Sequence, residues 1–445
     1  RPLAVSRACA PPHAVATARP SGAAAAPGGA RAARVFTWAA IVAMFALSAM
    51  ALTAFGIPYA TTGGSLLTKI HPATWLATLA VGLTLLGPGG PSRRLARVAI
   101  ASPGIVIFGV TIVLLFVQVA VVLRLPLSQM IDTYVLPIFL FVALGDFDRP
   151  ARRSLALALH AIIAVDAALG LVEYASGWRL TPMYDIDGSI IVDWRSTALF
   201  GHPLNNAFIV GLWLVTMASG GGREMPRMLR LMAMALAAMS LVAFGGRVAL
   251  VMAIALVAVI AMLRAAAILA GRRFDLTGAA IALAAGTVFL VVGVMALDAG
   301  AADRLLERFV DDSGSAGTRI AMFHIFGDLT WGEFVLGPPI DHMVQAQREY
   351  GIKIGIESTE VAFVAFYGLA MAIVLLAGIG AHLVELVRAT SRASLWAVVF
   401  FVVVMSASTG LASKSTNLAM FTVMVLTMMP RAGDPAAAAV ARDRR

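Results

Sequence analysis

Charge is scarce in this chain. Of its 445 residues only 13% are Asp, Glu, Lys or Arg, while 60% are hydrophobic. That deficit excludes a soluble globular domain, which has no means of burying so much apolar surface. Cysteine is scarcer still. Cys9 stands alone, which excludes an internal disulfide and a cysteine metal cluster. There is no Walker A loop, no nucleophile elbow and no dinucleotide fingerprint, so three common enzyme architectures fall away. His324 and His342 match no metal-ligand spacing, and neither a metal nor another cofactor is expected. Basic stripes interleaved with aromatics are missing too. The formal net charge of +10 is spread over short loops, so nucleic acid is not an expected partner.

What the chain does have is a series of apolar runs of helical length, rich in Ala, Leu, Val, Ile and Met. They lack the alternation of barrel strands. The expected fold is all-α: a polytopic transmembrane helical bundle in contact with the lipid bilayer. Its spans number about twelve, at roughly 35–55, 70–87, 103–123, 130–145, 154–174, 203–219, 228–244, 247–269, 277–297, 359–380, 394–411 and 415–430. Residues 1–34 hold Ala, Pro, Gly and Arg with no acid and read as a disordered tail. The bundle occupies 35–430, and 431–445 form a second polar tail.

Lys and Arg set the orientation. The loops carrying Arg93/Arg94/Arg97, Arg149/Arg152/Arg153, Arg223/Arg227/Arg230, Arg272/Arg273 and Arg388/Arg392 alternate so as to share one side with both tails. About 23 basic residues fall on that side and about 11 on the other, which makes it the cytoplasmic side. Two large segments, 175–202 and 298–358, are then exterior, the second lying before span 10. A long exterior loop with apolar residues of its own is expected to pack on the bundle as a lid or site.

The exterior side gathers residues suited to an anion. Arg195 precedes Phe200-Gly201-His202-Pro203-Leu204-Asn205-Asn206, where Pro203 would open span 6. A helix N-terminus with Asn amides suits phosphate oxygens, although Pro at N1 and Asn caps are also ordinary loop chemistry. Arg247 follows Gly245-Gly246 at the mouth of span 8, where an anion-binding arginine and a snorkelling one read alike. Arg319 follows Gly317-Thr318 in the long loop and is either a phosphate ligand or a solvated side chain. Glu357-Ser358-Thr359-Glu360 opens span 10. Glu357 is placed to act as a general base, and acids with Ser and Thr in a first turn equally serve as caps. Asp166 and Glu173 stand seven apart, on one face of span 5. Guanidiniums hold phosphate and pyrophosphate bidentately, so a lipid-linked phosphate substrate is the shared reading.

In this order and spacing, the chain resembles the O-antigen ligase and Wzy-type polysaccharide polymerase superfamily, with exopolysaccharide polymerase-like members the nearest in character. The residues that carry the resemblance are Asp132-Thr133-Tyr134 with Pro137, Arg195 with Phe200 to Asn206, Gly245-Gly246-Arg247, and Gly317-Thr318-Arg319 before Trp331 and Gly337. It covers the chain from about span 2 to span 12. It implies metal-independent, inverting glycosyl transfer at the periplasmic face of a bacterial inner membrane, with both termini cytoplasmic. The donor would be a glycan on undecaprenyl pyrophosphate and the acceptor a sugar hydroxyl, in concert with other polysaccharide-assembly proteins. Arg195, Arg247 and Arg319 would hold the pyrophosphate, aided by His202 and Asn205, with Glu357 as the base beside Arg319. Ligases of this superfamily carry a His near the end of the large loop, where this chain has Glu357-Ser358, and that favours a polymerase-like member.

Two other classes compete. A transporter or flippase of a lipid-linked or anionic substrate predicts internal repeats, broken helices and midplane polar residues. A structural scaffold leaves the long exterior loop without a purpose. The topology is testable directly. In a Cys9→Ser background, a cysteine replacing Gly314 is expected to label from the periplasmic side. Labelling only from the cytoplasm would remove every residue above from a common exterior site.

Overall fold

The computed structural model describes residues 27–60, 64–87, 90–124, 127–184, 190–191, 193–271, 322–352 and 356–429. The expected span at 277–297, Arg319 and the tail at 431–445 lie outside them. Within them the chain is mostly helical. One antiparallel pair of two-residue strands, Met183–Tyr184 with Ile190–Ile191, interrupts the pattern.

Six described helices are long and apolar enough to cross a membrane: Gly28–Ala46, Pro103–Val122, Arg149–Ser176, Arg227–Phe244, Arg247–Leu269 and Thr359–Ala389. A bent pair, Pro72–Leu85 with Gly90–Ala101, makes a seventh if counted as one span. Four shorter apolar helices, Ile131–Gly145, Pro203–Ser219, Ser394–Ser406 and Asn417–Met428, fall where spans 4, 6, 11 and 12 were expected. The chain is thus built as a multi-pass membrane protein. The first helix begins at Pro27, so residues 27–34 belong to it rather than to the tail. Arg31, Ala32, Ala33 and Arg34 are good helix formers, and Arg34 reaches Asp148 at 3.0 Å.

Local signals explain where the helices start and stop. His71 and His202 accept from the second backbone N–H of their helices, each ahead of a proline at N1. Asp148 caps Arg149–Ser176 by accepting from the backbone N–H of its third residue, Ala151. The core is continuous, with Phe45, Phe108, Tyr134, Phe208, Trp213, Phe244, Phe363 and Phe421 fully buried. Close helix approach depends on small residues. A Cβ at Gly170 would meet the Phe244 ring at 2.4 Å, and one at Gly211 the Phe400 ring at 2.5 Å.

Contacts sort the helix ends into two groups. At one end, here the lower, Arg34 meets Asp148, Arg94 meets Asp146 and His160 meets Glu224. At the other, the upper, Tyr59 meets Asp132, Asn417 meets Asn205, and the Tyr134 hydroxyl donates to the Leu411 carbonyl. The described part of the long loop, 322–352, carries a small core of Met322, Ile325, Met343, Ala346 and Ile352. That core packs on Ala362 and Ala365 of the Thr359–Ala389 helix.

That helix is broken. Gly368 has φ 77 and ψ 160. The interrupted backbone is capped by Gln118, whose amide donates to the carbonyls of Tyr367 at 2.7 Å and Leu336 at 2.8 Å. Gln118 itself lies in a π-helical turn, Gln118–Val122, and such turns re-aim side chains. Only glycine fits at 368. A Cβ would stand 2.3 Å from the Gly337 nitrogen and 2.5 Å from the Val335 carbonyl oxygen. Gly368→Ala is therefore expected to cost about 2 kcal/mol or more, read as a lower melting temperature of the purified protein. An unchanged melting curve would show that the break is not fixed by these contacts.

Candidate functional site

The upper end is organised around the 193–206 loop. Two buried carboxylates on the Arg149–Ser176 helix hold it. Glu173 Oε2 accepts from the backbone N–H of Thr197 at 2.8 Å and of Ala198 at 3.0 Å, and Oε1 accepts from Leu180 N–H at 2.8 Å. Asp166 Oδ1 accepts from Leu199 N–H at 2.9 Å. Seven residues on a helix are two turns, so both acids face the loop from one stripe. The sequence placed both acids on one face of this helix without giving their partners. Here they receive backbone N–H groups, because the loop folds directly over them. Arg179 adds a clamp, donating to the carbonyls of Glu173, Asp193 and Trp194.

Arg195 projects from this loop. Its backbone N–H and Nε donate to Asp193 at 3.0 and 2.8 Å, and Nη2 donates to the same carboxylate. Both side chains are 14% exposed. The stem of Arg195 lies on Gly245, where an added Cβ would meet its Cδ at 3.0 Å. Gly245 has φ 62 and ends the Arg227–Phe244 helix, which only glycine does without strain. Gly246 presses on Ala207, so closely that a Cβ there would stand 2.5 Å from the Ala207 Cβ. Arg247 then opens the next helix, half-buried. Arg195 and the Gly-Gly-Arg247 turn thus share one neighbourhood.

His202 belongs to it as well. It caps the Pro203–Ser219 helix through Nδ1, which accepts from Leu204 N–H at 3.2 Å. Burial pushes its pKa down to about 4, the Arg195 charge adds to that, and Asp193 opposes it. His202 is therefore a neutral imidazole at physiological pH. Asn205 accepts from the Asn417 amide at 3.3 Å, while Asn206 is buried and closes the loop onto Thr197 and Phe200.

Glu357 is half-buried one residue ahead of Ser358, the cap of the Thr359–Ala389 helix. Thr359 donates to the carbonyls of Met405 and Ser408 at 2.8 and 2.9 Å. Glu360 accepts from Ser406 and Ser358. These contacts bring the Glu357–Glu360 segment to the 407–416 loop, whose far end reaches Asn205 through Asn417. Arg319 lies outside the described residues. Among the described residues, no group of three or more His, Cys, Asp or Glu is placed to hold a metal ion.

The chain matches no protein-family model and no curated protein. The reading of the site rests on its own geometry.

That geometry includes a second polar cluster. Asp132 accepts from the Tyr59 hydroxyl at 2.9 Å, the Thr74 hydroxyl at 2.6 Å and the His71 N–H at 3.0 Å. Above it the Lys414 ammonium donates to the Tyr59 carbonyl at 2.9 Å and to that of Lys69, 3.5 Å over the Tyr59 ring. Burial lowers the Lys414 pKa to about 8. Asp132 sits in a π-helical turn, Ile131–Val135, with Thr133 and Tyr134 bonded to the carbonyls of Ser413 and Leu411. Lys414 and Tyr59 carried no sequence motif. The available signal was a lone lysine in a short Ser/Thr/Gly loop and an acid inside an apolar run.

The His202 environment has a pH signature. Its folded pKa lies below the ordinary 6.5, so the unfolded chain binds the proton more tightly. The stability that neutral His202 contributes is full above 6.5 and is lost as pH falls toward about 4. Wild-type melting temperature is expected to drop between pH 6.5 and 4.5. His202→Asn, which keeps the cap acceptor, should show a smaller drop. Equal drops would remove His202 from that titration.

Proposed function

We propose that the upper end is a glycosyltransferase site of the O-antigen ligase and Wzy polymerase type, working on a polyprenyl-pyrophosphate-linked glycan at the periplasmic face of a bacterial inner membrane. The observation that carries this reading is the packing of Arg195 against the Gly245-Gly246-Arg247 turn, with neutral His202 and Asn205 alongside. Two guanidiniums and neutral hydrogen-bonding groups at a loop-to-helix junction suit a diphosphate. Asp193, which engages Arg195, holds the guanidinium in place ahead of the substrate.

In the reaction, an acceptor sugar hydroxyl attacks the anomeric carbon of the donor. The new glycosidic bond forms as the bond from that carbon to the pyrophosphate oxygen breaks. Glu357 takes the hydroxyl proton, and the lipid pyrophosphate leaves with its negative charge on the arginines, including Arg319. A carboxylate base in place of a histidine favours a polymerase over a ligase.

The broken helix at Gly368 and the two π-helical turns favour a second reading, a transporter or flippase for the same lipid-linked substrate, since discontinuous helices mark transport sites. The two are separable in reconstituted vesicles. A transferase makes a longer glycan and releases carrier pyrophosphate. A flippase moves the donor across the bilayer with its glycan unchanged.

Arg195→Lys and Arg247→Lys keep the charge but lose the bidentate fork, and each is expected to lower transfer on the order of a hundredfold. Glu357→Gln should bind donor normally and lose turnover. Full transfer by both lysine variants would defeat the pyrophosphate assignment. Full transfer by Glu357→Gln would move the base elsewhere.

A further inference from the structure

The lower end of the bundle carries its own concentration of one charge. Four guanidiniums gather around the turn between the Pro203–Ser219 and Arg227–Phe244 helices. Among the described residues, Arg230 lies within electrostatic reach of Arg264, Arg223 and Arg227, and of one acid, Glu224. That acid is engaged elsewhere: Glu224 Oε1 is 2.6 Å from His160 Nε2, and His160 Nδ1 accepts from the Trp213 indole at 2.7 Å. With Nδ1 as acceptor, Nε2 carries the proton and donates it to Glu224.

The arginines are held in place by backbone. Arg223 Nε donates to the Gly220 carbonyl at 3.0 Å, and Arg264, from the neighbouring helix, reaches the Ala218 carbonyl. The stem of Arg230 lies against Gly222, 3.4 Å from where a Cβ would stand. Orientation alone asks only for positive charge in the loop. It does not ask for Arg264, near the end of the Arg247–Leu269 helix, to bond the last turn of the Pro203–Ser219 helix. The cluster is rimmed by exposed apolar side chains, Met228, Leu229 and Met232 on one helix and Leu263 on the next. Fixed guanidiniums beside a lipid-facing apolar rim have the two chemistries of a phospholipid, phosphate and acyl chain.

We infer that Arg223, Arg230 and Arg264 form a binding site for the headgroup of an anionic phospholipid, at the opposite end of the bundle from the candidate transfer site. The bound lipid would lie between the Arg227–Phe244 and Arg247–Leu269 helices and tie the two together.

Native mass spectrometry of the purified full chain, with phosphatidylglycerol or phosphatidylcholine added, tests the site. Phosphatidylglycerol is expected to remain bound where phosphatidylcholine dissociates. Each arginine near such a headgroup strengthens association about fivefold, so R230Q/R264Q should weaken it roughly 25-fold, and R230K/R264K should keep most of it. If R230Q/R264Q does not fold, R223Q, whose side chain is exposed, should lose about fivefold. Equal retention of the two lipids by the wild type overturns the site, as does undiminished phosphatidylglycerol binding by the glutamine variants. Displacement of the lipid by equimolar inorganic phosphate would show an anion site that does not recognise lipid.

Discussion

Glu173 is the constraint on which the upper end depends. A carboxylate with 0% exposure is tolerated only when its oxygens are filled with donors. Here the donors are the N–H groups of Leu180, Thr197 and Ala198. Those bonds pull both ends of the 177–202 excursion onto one helix turn. Arg195 and His202 inherit their positions from that anchoring. Removing the charge would leave the buried N–H groups of Thr197 and Ala198 without their acceptor. The 197–199 backbone is therefore held by buried carboxylates rather than by apolar packing alone.

The same logic recurs on the other side of the mouth. Asp132 gathers Tyr59, His71 and Thr74, and Lys414 closes over them from a loop far along the chain. Two buried acids, each filled by polar groups from a neighbouring loop, leave the apolar helices to supply the scaffold.

Much of the helical framework was legible because apolar runs of helical length have few other fates, and because Pro72, Pro103, Pro203 and Gly177 mark ends in a way that backbone chemistry dictates. Arg195 and Arg247 stood out for their neighbours in sequence, and the glycine pair before Arg247 does what its spacing suggested. The role of Glu173 was not legible, since its donors come from a loop 24 residues away whose path no period encodes. Lys414 was hidden for the same reason, its acceptor being 355 residues distant. The break at Gly368 escaped notice because the surrounding residues are uniformly apolar. The positive φ and the close approach of the Val335–Gly337 backbone make glycine obligatory there.

That break has a consequence for height. The segment from Gly368 to Ala389 rises about 30 Å from the lower end, the depth of a bilayer's hydrocarbon. The Ser394–Ser406 helix, 13 residues long, starts at the same level and rises only about 20 Å. Yet Thr359, nine residues before Gly368, is bonded to the carbonyl of Met405 at its top. A straight run of 31 residues would carry Thr359 well past that point, so the break at Gly368 is where the run changes direction. Phe363 and Ala365, in the segment between Thr359 and that break, are both fully buried. That change of direction keeps the Glu357–Glu360 segment level with the end of a much shorter neighbour, so its position depends on one glycine rather than on helix length.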